Sequence, residues 1–369
     1  MLVETRFADF SEPLPLASGE ALPGFRLAYE TYGRLSPRRD NAILVCHGLT
    51  ADAHAAGRHG PEDPRPGWWD AAIGPGKPLD TDRFFVICSN LLGGCGGSSG
   101  PSTPHPGHGR PWGLRWPVLT VADMVDAQAR LIGRLGVGRL RAVVGGCLGG
   151  FQVLEWLARH PGRVASAIAI SSAPRVSAHT LALWEVLRET IRRDPAFRGG
   201  DYYDGPLPAN GMGLMAMFGM MIWMSREVMA QRFGLRPSQE GGPGLSLGPE
   251  FAIQEFFHKV AQGGAGGLDP NSFIFLTKAM DFFDLSRERE SLTQAFAGAA
   301  GVRALLLSYD SDWRYPPRDS EEILGALLAA GVEARHHTLQ SDFGHGAFIY
   351  DSDGVGQAMA RFLRQRAGS

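Results

Sequence analysis

The chain has 369 residues, of which 44% are apolar and 20% charged, with a formal net charge of −2 at pH 7. This composition is typical of a folded globular protein, and the length favours one large domain with an insertion, or two domains. The small net charge gives no reason to expect a nucleic-acid partner. Without a long apolar run or a secretion-signal pattern at its start, the chain is expected in the cytoplasm, with no membrane partner.

Short apolar runs alternate with helical patterns along the chain. The predicted strands cover residues 41–46, 84–88, 139–144, 165–170 and 302–308. The predicted helices cover residues 121–135, 148–159 and 321–330, with Thr120 and Asp123 placed to cap the first. Strands that alternate with helices predict an α/β protein with a mostly parallel sheet between two layers of helices.

The alternation is interrupted between two parts of the chain. Residues 1–173 and 301–369 carry it and are predicted to form one core. Residues 174–300 have mostly helical patterns and are rich in methionine and aromatic residues. An insertion of this size predicts a helical lid domain over the ends of the strands.

The four cysteines differ in their sequence contexts. Their spacing matches no CxxC pair and no zinc motif, which predicts free thiols and no metal site. Cys46 and Cys88 are expected in the core. Cys147 instead lies in a GGCLGG motif between a predicted strand and a predicted helix, which has the form of a G-x-S-x-G nucleophile elbow with cysteine in place of serine. Because a helix N-terminus favours the thiolate, Cys147 is the predicted nucleophile, with a buried structural cysteine as the alternative.

A nucleophile at an elbow requires an acid and then a histidine further along the chain. The loop after the strand 302–308 offers two acids, Asp310 and Asp312, and the residues alone do not separate them. The predicted base is His345, which lies between two glycines in a later loop. Less suitable histidines, in a predicted edge strand or at a helix C-terminus, are His160, His336 and His337.

Two backbone N–H groups are expected to form an oxyanion hole. One is that of Leu148, directly after the nucleophile, and the other is that of Leu49, in the loop after the strand 41–46. His47, in the same loop, is predicted to have a structural role beneath the elbow.

Six stretches of sequence are similar to one known family. Over nearly its whole length the chain resembles the homoserine O-acetyltransferase family of α/β-hydrolase-fold acyltransferases. The stretches are 47–57 (HGLTADAHAAG), 67–82 (GWWDAAIGPGKPLDTD), 89–100 (SNLLGGCGGSSG), 145–156 (GGCLGGFQVLEW), 311–317 (SDWRYPP) and 344–349 (GHGAFI). The resemblance implies an α/β-hydrolase fold, Asp312 rather than Asp310 as the acid, acyl-CoA as donor, no bound cofactor or metal, and a homodimer that pairs through the lid.

The chain departs from the family at four positions. The family has serine where this chain has Cys147. It also has an aspartate after the catalytic histidine, where this chain has Gly346, and a lid arginine and tyrosine that align with Ala216 and Trp223. These changes replace a clamp for the homoserine zwitterion with an apolar surface that includes Met220. They predict a small acceptor other than homoserine.

The sequence therefore predicts an acyltransferase that uses a Cys–His–Asp triad. An acyl group would move from acyl-CoA, or from a carrier-protein thioester, through an acyl-cysteine to the acceptor. The alternative is an esterase or thioesterase with the same triad, in which water replaces the acceptor. A third possibility, a non-catalytic relative, fits poorly with the presence of both Asp312 and His345.

Overall fold

The computed structural model describes residues 1–239, 247–264, 267–287 and 289–365. A mixed sheet of eight strands lies at its centre. The strands are β1 (Arg6–Phe10), β2 (Phe25–Tyr32), β3 (Ala42–Cys46), β4 (Phe85–Ser89), β5 (Ala142–Gly146), β6 (Ser166–Ile170), β7 (Arg303–Tyr309) and β8 (Glu333–Leu339). Their spatial order is β1-β2-β4-β3-β5-β6-β7-β8. β1 pairs with β2 and β2 with β4 in antiparallel fashion, and every other pair is parallel. The predicted fold class is confirmed.

Helices follow most of the parallel strands. They are α1 (Val121–Arg134), α2 (Leu148–Arg159), α3 (Ala178–Arg192), α4 (Ala209–Trp223), α5 (Arg226–Arg232), α6 (Ala252–Gly263), α7 (Pro270–Asp281), α8 (Leu292–Ala295), α9 (Pro317–Ala329), α10 (Ala347–Tyr350) and α11 (Ser352–Arg364). Thr120 and Asp123 form the predicted cap of α1, since each side chain accepts a hydrogen bond from the other's backbone N–H. No helix among the described residues is long and apolar enough to cross a membrane.

The middle strands of the sheet are the most completely buried. All residues of β3 and β5 are buried, because α-helices cover both faces of the parallel strands. Cys46, in β3, and Cys88, in the neighbouring β4, are buried, as predicted. Cys147 directly follows β5, so it is positioned by the buried centre of the sheet.

The segment between β6 and β7 is helical, as predicted for a lid. It contains α3 to α8, and α4 packs against both α3 and α6. Residues 240–246, 265–266 and 288 of this segment lie outside the described residues. The last turn of α4 reaches the loop that carries His345. The division at residues 173/174 and 300/301 stays a prediction.

Candidate active site

Cys147 occupies a tight turn between β5 and α2. Its backbone has φ 59° and ψ −125°, a conformation that L-residues rarely adopt. The residues two before and two after it, Gly145 and Gly149, are glycines because the turn leaves no room for a Cβ atom at either position. A Cβ at Gly145 would lie 2.6 Å from the backbone of Gly149, and a Cβ at Gly149 would overlap the carbonyl of Cys46. The predicted elbow is therefore formed, and it places the thiol at the N-terminus of α2.

His345 and Asp312 meet beside this elbow. His345 Nδ1 lies 2.8 Å from Asp312 Oδ2, and both side chains are fully buried. The other oxygen of Asp312 accepts hydrogen bonds from the backbone N–H groups of Arg314 (3.0 Å) and Tyr315 (3.1 Å), which hold the carboxylate in place. Asp310, the alternative acid, is exposed and accepts hydrogen bonds from the backbone N–H groups of Ser311 in its own loop and Ser341 in the loop after β8.

The loop after β3 approaches the elbow from the other side. A Cβ added to Gly48 would lie 3.9 Å from the Cβ of Cys147, which brings the next residue, Leu49, beside the nucleophile. Among the described residues, no backbone carbonyl accepts a hydrogen bond from the N–H of Leu49 or Leu148, and the N–H of Leu148 donates to the Cys147 sulfur. His47 is fully buried, and its ring nitrogens contact backbone groups of Gly48 (2.7 Å) and Leu91 (3.0 Å). His47 thus has no nitrogen left for a substrate.

Comparisons with known proteins identify the family of the chain. A sequence model of the alpha/beta hydrolase fold matches residues 41–351. The homoserine O-succinyltransferase of Laribacter hongkongensis is 44% identical over 369 residues, covering 99% of this chain and 96% of the relative. The homoserine O-acetyltransferase of Symbiobacterium thermophilum is 44% identical over 371 residues, with the same coverage. The chain belongs to the homoserine O-acetyltransferase family.

Solved structures place it in the same family of α/β hydrolases. The homoserine O-acetyltransferase from Bacillus anthracis superposes with a TM-score of 0.92 at 27% identity, and both chains are covered completely. Esterase E22 superposes with a TM-score of 0.89 at 27% identity, over 98% of this chain and 100% of the esterase. The family's fold thus also supports ester hydrolysis in a related protein.

These relatives correct one expectation. The sequence argument predicted an acceptor other than homoserine, but relatives at 41–44% identity over nearly the whole chain are named homoserine O-succinyltransferase or homoserine O-acetyltransferase. The expectation was wrong because it rested on charges missing at two positions, Ala216 and Gly346. Charges missing at two positions do not exclude recognition of homoserine by other residues.

The charge states of Cys147 and His345 depend on burial and on the charged residues around them. Burial raises the pKa of the Cys147 thiol, but the positive charges of Arg314 and His345 outweigh this and lower the pKa to about 7. Burial lowers the pKa of His345, but the negative charges of Asp312 and Cys147 raise the pKa to about 9. Between these two values a thiolate faces an imidazolium, which is the form in which a cysteine can act as a nucleophile.

This pair predicts how the reactivity of Cys147 depends on pH. Because the thiol pKa is about 7, the rate of alkylation by iodoacetamide should fall as the pH drops through 7. Arg314→Leu removes a positive charge and should move the midpoint of that profile upward. The site of alkylation is mapped by peptide mass spectrometry, so that the half-buried thiol of Cys95 serves as an internal comparison. An unchanged midpoint in Arg314→Leu would contradict the assigned role of the guanidinium.

The four predicted substrate-contacting residues are not equally close to the triad. Trp223 packs perpendicular to the ring of His345, with ring centroids 5.2 Å apart. A Cβ at position 346 would overlap its indole, so the glycine there makes room for the tryptophan. Ala216 and Met220 lie about two turns and one turn earlier on the same face of α4. Trp223 and Gly346 therefore lie directly beside His345.

Arg314 was missed by the sequence argument. Its guanidinium is buried, lies over the rings of Trp184 (4.4 Å) and Tyr315 (4.9 Å), and has Nε and Nη2 unpaired among the described residues. Nε and Nη2 form the edge of a guanidinium that binds a carboxylate through two hydrogen bonds. A buried cation without an anion is costly, so this edge is suited to a carboxylate that arrives with a substrate.

Proposed function

We propose that this protein transfers an acyl group from a CoA thioester to the side-chain hydroxyl of homoserine. The observation that carries the proposal is full-length similarity at 44% identity to relatives named for this acceptor. The adjacency of Cys147, His345 and Asp312 supports the same reaction, because the three side chains form the nucleophile, base and orienting acid that acyl transfer requires.

The first half-reaction loads the enzyme. The thiolate of Cys147 attacks the acyl carbonyl, and the N–H groups of Leu49 and Leu148 stabilise the negative oxygen. The bond between the acyl carbon and the CoA sulfur breaks, and the departing thiolate takes the proton from Nε2 of His345. One thioester replaces another, so the step is close to thermoneutral.

The second half-reaction delivers the acyl group. Nε2 of His345, now neutral, accepts the hydroxyl proton of homoserine as the hydroxyl oxygen attacks the acyl-cysteine. The new ester forms, the bond to sulfur breaks, and the thiolate–imidazolium pair returns. Asp312 holds Nδ1 of His345 throughout, so that Nε2 faces the reacting atoms.

We infer further that the acyl group is succinyl. Its terminal carboxylate would bind the unpaired Nε and Nη2 of Arg314, a cation close enough to Cys147 to lower the pKa of the thiol. An acetyl group offers no charge for this buried guanidinium. Several relatives at 41–44% identity carry the succinyltransferase name.

Acylation without an acceptor tests the donor. At a pH on the alkylation plateau of both proteins, where the Cys147 thiol is ionised in wild type and variant alike, Arg314→Leu should slow formation of succinyl-Cys147 about 100-fold, since two charged hydrogen bonds are lost. Acylation by acetyl-CoA should change little, and Arg318→Leu, which alters an exposed arginine nearby, should have no effect. Intact mass measured over time gives both rates. Equal slowing with both donors would contradict succinyl recognition by Arg314.

Decay of the acyl-enzyme tests the acceptor. Homoserine should accelerate the decay of succinyl-Cys147 with saturation, and O-succinylhomoserine should accumulate in equal amount. Serine, which is one methylene shorter, is the matched comparison. If homoserine leaves the decay rate unchanged and only free succinate appears, the protein is a hydrolase.

Hydrolysis is the second candidate because esterase E22 shares the fold at 27% identity. Trp223 argues against it, since its indole covers His345 and limits the access of water to the acyl-enzyme. A cytoplasmic location, the absence of a bound cofactor, and a homodimer that pairs through the lid stay predictions.

A further inference from the structure

A second cluster of chemically active side chains lies away from the triad. It consists of Glu30 on β2 and of His54 and His59 in the long loop after β3. Their ligand atoms all lie within 4.8 Å of one another. His54 Nδ1 is 3.0 Å from one oxygen of Glu30, and His59 Nε2 is 2.7 Å from the other. Because 24 and 29 residues separate the histidines from the glutamate, only the tertiary fold brings the three together.

Glu30 is fully buried, and among the described residues no lysine or arginine pairs with it. Its charge needs compensation in a place that water does not reach. Hydroxyl groups of Thr5 (2.9 Å) and Tyr32 (2.8 Å) donate to the two oxygens and orient the carboxylate. Such hydrogen bonds are the usual support of a carboxylate that ligates a metal.

We propose that Glu30, His54 and His59 bind a divalent transition-metal ion. Two imidazole nitrogens and one carboxylate oxygen suit zinc or cobalt and disfavour magnesium and calcium, which prefer oxygen ligands only. In a tetrahedral zinc site, neighbouring ligand atoms are about 3.3 Å apart. The separations from Glu30, 3.0 Å to His54 Nδ1 and 2.7 Å to His59 Nε2, would open by about 0.3 and 0.6 Å to reach this value.

The fourth coordination position faces solvent. The side chain of His59 is 46% exposed and that of His54 is 18% exposed, so an ion can arrive from this side and retain a water ligand. The backbone N–H of His54 donates to Asp52, and that of His59 to Asp63, which shapes the loop around its ligands. Binding would join the loop to β2. This proposal does not depend on the acyl-transfer reaction and revises the expectation that the chain holds no metal.

Cobalt binding tests the proposal on the full-length, untagged chain after treatment with a chelator. The Cys147→Ser background is used, so that the thiol of the triad cannot supply a competing ligand. One equivalent of Co²⁺ should produce the visible absorption of a tetrahedral site, and Zn²⁺ should displace it. His59→Gln changes a half-exposed side chain, so it should preserve the fold. It should weaken the binding of Co²⁺ at least about 10-fold, because losing a direct metal ligand costs more affinity than losing a residue that only hydrogen-bonds to a ligand.

The chain offers a matched control in another pair of histidines. His105 and His108 stack with ring centroids 4.3 Å apart on an exposed loop and belong to no group of three potential ligands among the described residues. His108→Gln should therefore leave the cobalt spectrum and affinity unchanged. Zn²⁺ should also raise the thermal midpoint of the background protein but not of His59→Gln. Absence of one-equivalent binding, or equal binding by His59→Gln, would overturn the proposal.

Discussion

Replacing Cys147 with alanine should abolish both turnover and the formation of an acyl-enzyme. In the proposed mechanism the Cys147 sulfur attacks the acyl carbonyl, and the elbow contains no other thiol. Alanine adopts the positive φ of this position with no more strain than cysteine, so the fold should persist. The measurements are the steady-state rate with succinyl-CoA and homoserine, and the intact mass after incubation with succinyl-CoA alone.

Cys95→Ala is the matched control, because Cys95 is a more accessible free thiol that takes no part in the site. It should keep its activity and its acyl-enzyme. Circular dichroism and thermal unfolding establish that both variants fold. Residual activity of more than a few per cent in Cys147→Ala would remove the cysteine from the mechanism.

Asp312→Asn should lower the turnover rate by about 10³–10⁴-fold while substrate binding changes little. Backbone N–H groups of Arg314 and Tyr315 bind one oxygen of the carboxylate, and the asparagine oxygen should remain there. The amide nitrogen then faces Nδ1 of His345 and donates to it. That hydrogen bond selects the tautomer protonated at Nε2, which cannot accept a proton from the thiol or from homoserine.

Asp310→Asn tests whether the effect belongs to Asp312 alone. Asp310 is two residues away but exposed, and its carboxylate accepts only from the backbone N–H groups of Ser311 and Ser341. Its replacement should cost less than about 3-fold in rate, since surface substitutions usually have small effects. A larger loss in Asp310→Asn than in Asp312→Asn would reverse the assignment.

The sequence predicted the parallel part of the sheet well because buried strands there are continuous apolar runs. The run 302–308 corresponds to Arg303–Tyr309, and the helix predicted at 148–159 has those bounds. The antiparallel strands Arg6–Phe10 and Phe25–Tyr32 were missed, since their exposed and buried residues alternate and their polar residues obscure the apolar ones. Sequence periodicity thus detects strands covered on both faces more easily than strands near an edge.

The triad residues could be predicted because each stands in a local motif with its own backbone requirements. Arg314 could not, because arginine is mostly exposed, and nothing near it in the sequence shows that Trp184 and Tyr315 enclose it. The sequence does hold one signal: in the SDWRYPP stretch, Arg314 lies two residues after the predicted acid, Asp312, in the same loop.

The indole of Trp223, at the end of α4, covers the ring of His345. The indole packs against His345, and Cys147, His345 and Asp312 are all buried. The proposed reaction would therefore require Trp223 and the end of α4 to move aside, first for the acyl-CoA and again for homoserine. Each opening also lets water approach the thioester. The ratio of ester to free acid would then depend on whether homoserine or water reaches the thioester first after Trp223 moves. Selection of homoserine over water would therefore depend on the rate of this movement as well as on affinity.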